Sequence, residues 1–205
     1  MLHQAPWMTP AKSVSRETHM YEQSNDGTRS TAVSRRAAIG AFATASVALQ
    51  LPVTPANAND AIAELIKGAE EKNAAFMRGD MDRWANLTRI APDFTLMQPF
   101  GGPASYGFDS NRQRLAELGQ YFRNGETKLE VAQTYASDGL VVLVMIERQN
   151  GEVGGLPDQD WSLRVTEIYR KDASAWQLVH RHADPLVQRI TLEQAAALAR
   201  GRAED

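Results

Sequence analysis

The chain of 205 residues contains no cysteine. That absence excludes disulfides, thiolate metal sites, a cysteine nucleophile and a lipid anchor on cysteine. No strong charge excess is present either: 22 basic residues stand against 25 acidic ones. A clustered basic surface for nucleic acid is therefore not expected. The phosphate-binding fingerprints are missing as well. Gly101-Gly102 lies in a Pro- and Gly-rich loop without G-x-G-x-x-G or G-K-[ST]. There is no nucleophile elbow and no His-Glu-x-x-His. The most apolar run, Ala37 to Leu51, is interrupted by Gly40, Thr44, Ser46 and Gln50 and stops at Pro52, too short and too polar for a membrane span. What is present, 43% hydrophobic and 23% charged residues, is the composition of an ordinary globular protein.

That apolar run has a different use. It follows Ser34-Arg35-Arg36 and precedes the small-residue motif Ala56-Asn57-Ala58. A positive n-region, an apolar h-region and an A-x-A cleavage site make up a bacterial export signal, and the paired arginines resemble a twin-arginine signal. Residues 1–58 are thus read as a polar n-region and a signal cleaved after Ala58, which sends the protein to the periplasm or the medium. No membrane insertion is expected after cleavage. Residues 59–190 form the domain, and 191–205 a short helix and tail.

In the domain, Asp60 is placed as the N-cap of a helix whose apolar stripe runs through Ile62, Leu65, Ile66, Ala69 and Phe76 to Gly79. Asp80 caps a second helix. Pro92 breaks the chain before a strand at Phe94–Leu96, and a third helix runs from about Ser110 to Phe122. Then come strand-like stretches at 128–135, 140–146, 161–170 and 176–184, with Asp138-Gly139 as a tight turn between the first two. Thr191 opens the last helix. The order calls for an α+β fold, a curved antiparallel sheet wrapped around the N-terminal helices.

The last strand holds the most polar pattern. Strict alternation places Trp176, Leu178, His180, His182 and Asp184 in one row. Two imidazoles and a carboxylate either line a pocket as acid/base groups or close a structural network. His-x-His lacks a clear third ligand, so no metal is expected, nor any other cofactor. Glu147 and Arg164 interrupt apolar strands and, if adjacent, form an ion pair able to bind a carboxylated ligand. Trp84, Phe94, Met97, Phe100 and Tyr106 offer an apolar pocket wall or simply core.

Several of these stretches resemble the SnoaL-like branch of the nuclear transport factor 2-like superfamily. They are Arg78-Gly79-Asp80, the segment Asp93 to Pro99 with its glycine loop, and Val165 to Lys171 leading into Trp176-Gln-Leu-Val-His180-Arg-His182. The last strand is also similar to that of the association domain of calcium/calmodulin-dependent kinase. The resemblance implies a cone-shaped, cystatin-like α+β barrel, a pocket at the open end of the cone, and a homodimer formed through the sheet. Ketosteroid isomerases of this superfamily use a carboxylate base and a tyrosine. The resemblance puts Gln98 at the base position and Lys72 near the tyrosine position, which disfavours that mechanism, because an amide does not abstract protons.

Three readings follow. The cone binds a small organic molecule through Trp84, Met97, Tyr106, Glu147 and Arg164. Alternatively, it is an isomerase, hydratase or cyclase that uses His180, His182 and Asp184. In the third, it is a non-catalytic association module.

Overall fold

The computed structural model describes residues 56–173 and 175–200. Residues 1–55 of the proposed signal, with Arg35-Arg36 and the apolar run, lie outside them, while its Ala56-Asn57-Ala58 motif is the start of the first helix. Among the described residues the order is α1 (Ala56–Arg78), α2 (Met81–Leu87), β1 (Ile90–Met97), β2 (Ser105–Tyr106), α3 (Arg112–Tyr121), β3 (Phe122–Ala136), β4 (Leu140–Val153), β5 (Gln159–Asp160), β6 (Leu163–Asp172), β7 (Ala175–Pro185) and α4 (Leu192–Leu198).

Helix α1 begins before Asp60, so that residue is inside the helix and not its cap. The apolar stripe behaves as expected. Ile62, Leu65, Ile66 and Ala69 pack on the wall of the sheet. Gly79 ends the helix at φ +77°, and a Cβ there would come within 2.6 Å of the carbonyl oxygens of Gly119 and Phe122. Only glycine permits both the left-handed turn and the close approach of α3. Asp80 then accepts a hydrogen bond from the Arg83 amide and caps α2. The last helix, α4, opens with a capping box between Thr191 and Gln194.

The strands form one curved, unclosed sheet in the order β2-β1-β7-β6-β4-β3, with β5 paired to β4. All pairings are antiparallel except β1 with β7, which is parallel. Pro92 does not end the chain before β1. It lies inside that strand, where the ladder to β7 is interrupted between Ile90 and Thr95, and so it removes no required hydrogen bond. Strand β4 is longer than its apolar stretch and continues to Val153.

One face of the sheet carries the core. Val141, Leu143 and Met145 of β4, Val165 and Tyr169 of β6, and Leu178 and Ala183 of β7 are buried there with Phe94. A second cluster at the α2–α3 end joins Met77, Met81, Leu118, Phe122 and Val153. The opposite face of β4 and β6 is only half-buried.

Candidate functional site

The inner face encloses a cavity of about 710 Å³ whose lining draws on both core clusters. Phe76 and Trp84 come from α1 and α2. Ile90, Phe94 and Leu96 come from β1, and Phe100 and Phe108 from the loop on either side of β2. The aromatic rings brace one another. Phe76–Trp84 and Trp84–Phe108 have centroids 5.8 and 5.1 Å apart, and Phe100–Trp161 5.4 Å, spacings typical of favourable ring pairs.

Lys72, Glu167 and Arg181 interrupt this apolar wall. They belong to one network. Lys72 Nζ donates to Glu167 Oε2 and to the Tyr169 hydroxyl, both at 2.7 Å. Tyr169 in turn donates to Glu167 Oε2 at 2.6 Å. Arg181 Nη1 bridges Glu167 Oε1 at 3.0 Å and Glu147 Oε1 at 2.9 Å, and Nη2 binds Glu147 Oε2 at 2.7 Å. Glu147 and Glu167 are almost wholly buried, at 2% and 0% exposure. Burial opposes ionisation of Glu167, but the Lys72 and Arg181 charges and the hydrogen bonds from Lys72 and Tyr169 outweigh it. Its carboxyl is held at about 2. Burial lowers the Lys72 ammonium, against the pull of Glu167. Burial and then the Glu167 charge push the Tyr169 phenol well up. Two further polar side chains, Asn73 and Gln149, bond to each other at 2.9 Å, and Asn73 also donates to Thr127. Gln98 differs. Its side-chain oxygen is buried and makes no hydrogen bond among the described residues.

The residues expected to form the site are divided by the sheet. Trp84 and Tyr106 line the cavity, Tyr106 at its exposed rim. Met97 does not. It stands beside His182 in the β1–β7 ladder, 42% exposed. Glu147 and Arg164 are not partners. The β4–β6 register sets Ile146 opposite Arg164 and Glu147 opposite Leu163, so Glu147 points inward to Arg181, and Arg164 points outward to Asp184 at 3.7 Å.

The row of His180, His182 and Asp184 is also displaced from the cavity. Between the pairs Tyr169–Leu178 and Ile168–His180, strand β7 carries one extra residue, Val179. This bulge breaks the alternation. Leu178 faces inward, and beyond the bulge Arg181 and Ala183 do, while His180, His182 and Asp184 take the outer face. There His180 Nδ1 is 2.6 Å from Thr95 Oγ1, and His182 Nε2 is 3.4 Å from Asp184 Oδ2. Burial and the neighbouring His182 lower the His180 imidazole.

The inward groups that alternation missed left a trace in the sequence. Glu167 interrupts the row Leu163, Val165, Tyr169, and Lys72 lies in the α1 stripe between Ala69 and Phe76. Arg181 left none, because only the bulge turns it inward.

No known family profile matches the chain, and no curated protein matches it in sequence. Solved structures do match. One is a nuclear transport factor 2-like superfamily protein from Salmonella enterica serovar Typhimurium, with a TM-score of 0.52 and 16% identity, covering 66% of this chain and 98% of that one. Another is a candidate dehydratase of the same family from Streptomyces avermitilis, with a TM-score of 0.52 and 18% identity, covering 66% of this chain and all (100%) of that one. A Caulobacter vibrioides protein with a cystatin-like fold matches at a TM-score of 0.48 and 17% identity, covering 69% of this chain and 95% of that one. With α1, α2 and α3 packed on one face of a curved, unclosed sheet, the domain has the nuclear transport factor 2-like fold that its sequence resembles.

Proposed function

We propose that the domain binds a small, mainly apolar organic molecule in the cavity between its helices and the inner face of the sheet. The observation that carries this reading is the cavity, about 710 Å³. It lies within the roughly 300–1,000 Å³ usual for ligand sites and has the usual make-up of such sites, an apolar wall with few polar groups. Trp84 and Tyr106 belong to that wall. The polar end is Arg181 with Gln98, in place of Arg164 and the histidine row.

Binding is favoured over acid/base catalysis by His180, His182 and Asp184, because these side chains lie across the sheet from the cavity. Gln98, at the isomerase base position, is no base. Glu167, held at about 2, is too weak a base to abstract a proton near neutral pH.

A homodimer through the outer sheet face remains part of the proposal. Val142, Val144, Ile146 and Ile168 are half-buried there, and Tyr135, opposite Val142 in the β3–β4 ladder, is exposed beside them. Such an apolar strip suits a second copy of the chain. The segment before the domain is read as an export signal, which places the domain in the periplasm or outside the cell.

The test uses 2-naphthol, a compact aromatic probe that accepts energy from tryptophan. Trp84 and Trp161 both line the cavity. Saturable transfer with one site per chain, or a small-molecule adduct retained in native mass spectrometry, is the expected result. Neither signal at millimolar probe would overturn the reading.

A further inference from the structure

The charges around the cavity restrict what it can hold. Its lining includes three cations, Lys72, Arg114 and Arg181, and three carboxylates, Asp109, Glu117 and Glu167. All but the exposed Asp109, which accepts hydrogen bonds from Asn111, are matched locally. Arg114 pairs with Glu117 at 3.7 Å, Lys72 with Glu167, and Arg181 with both Glu167 and Glu147. Deep in the site, two cations meet two buried carboxylates, so no net charge is left to receive an ion. A carboxylate or ammonium brought into such a wall would lose its hydration without gaining a counter-charge, which is strongly unfavourable.

The hydrogen-bonding capacity is not closed in the same way. Arg181 has five N–H donors. Three are used on Glu147 and Glu167, which leaves Nε–H and one Nη2–H without an acceptor among the described residues. Its side chain keeps 21% exposure. Gln98 supplies the converse, a buried carbonyl oxygen with no donor among the described residues. Buried polar atoms in folded proteins are nearly always satisfied, so an orphaned one in a cavity wall points to a missing partner. Both groups line the cavity. Leu96 is the register partner of Arg181, and Gln98 follows it by two residues, about 7 Å along an extended chain.

We propose that the cavity is built for an uncharged molecule that accepts a hydrogen bond from Arg181 and donates one to Gln98, such as a hydroxylated ring bearing a carbonyl. This rests on the binding reading above and names its ligand class.

The experiment compares two probes that share a skeleton, methyl 6-hydroxy-2-naphthoate and 6-hydroxy-2-naphthoate, titrated into the full chain at pH 7.5 by tryptophan energy transfer. The ester is expected to bind at least 10-fold more tightly than the anion. Equal affinity, or tighter binding of the anion, overturns the ligand class and leaves cavity binding standing. Failure of both probes to bind while 2-naphthol does also overturns the class. If 2-naphthol fails too, cavity binding itself falls.

Two variants sharpen the comparison. Gln98→Leu removes the orphaned oxygen, so ester affinity should fall about 5-fold while the melting temperature does not decrease. Unchanged ester affinity in this folded variant overturns the role of Gln98. Glu147→Gln removes one buried carboxylate behind Arg181 and leaves a net positive cluster. In it the ester-over-anion ratio should fall at least 5-fold, and an unchanged ratio overturns the charge argument. Should that variant fail to fold, the wild-type ratio and Gln98→Leu still decide.

Discussion

Replacing Glu167 by glutamine tests the centre of the structure. The change keeps shape and one acceptor but removes a charge that Lys72 and Arg181 both address, at 2.7 and 3.0 Å. Its size can be reached in two ways. The Glu167 carboxyl moves from 4.5 to about 2 on folding, which corresponds to a contribution on the order of 3 kcal/mol at neutral pH. Breaking a buried ion pair by removing one partner costs about 3–5 kcal/mol, in agreement. The sign with pH follows. A depressed carboxyl stabilises the fold fully above pH 4.5, and the contribution is lost as pH falls from there toward 2. Urea unfolding followed by tryptophan fluorescence should show Glu167→Gln less stable by about 3 kcal/mol at pH 7. The gap to wild type should narrow steadily below pH 4.5. Removing the opposing charge as well, in Lys72→Met with Glu167→Gln, should recover part of the loss, because no buried lysine is then left facing a neutral partner. A single-variant loss under about 0.5 kcal/mol, or a gap that does not close in acid, would refute the claim that this ion network is held by its charges.

Other expectations follow from single features. Gly79→Ala forces an alanine to φ +77° with its Cβ 2.6 Å from two carbonyl oxygens; it should destabilise the fold by more than about 1 kcal/mol in urea unfolding, and a neutral effect would contradict the packing of α1 on α3. Val144→Lys places a charge in the outer apolar strip and should convert a dimer to a monomer in light scattering at micromolar concentration, without loss of helix or strand signal in circular dichroism. Replacing Arg35-Arg36 by Lys-Lys should trap the precursor inside a twin-arginine-competent bacterium, and unimpaired export would reject that reading of the leader.

The parts of this fold that were legible in the sequence are those decided within a few residues. Asp80 capping α2, Thr191 opening α4 and the Asp138-Gly139 turn depend on short-range hydrogen bonds. The site depends instead on register, which no single strand encodes. Glu147 and Arg164 suggested a pair, yet Arg164 lies opposite Ile146, so the two side chains leave the sheet on different faces. The His180 row followed from unbroken alternation, and one extra residue at Val179 reversed it. That bulge has no signature of its own, since valine is an ordinary strand residue. The inner charges were nevertheless open to physical reasoning. Lys72 breaks an apolar helix stripe and Glu167 an apolar strand row, and in a two-layer fold those two surfaces can only face each other. Each buried alone would be prohibitive, so they had to meet. A charge that violates its own element's apolar row is thus a better guide to this interior than the more conspicuous histidines, which violate nothing once they stand on the outer face.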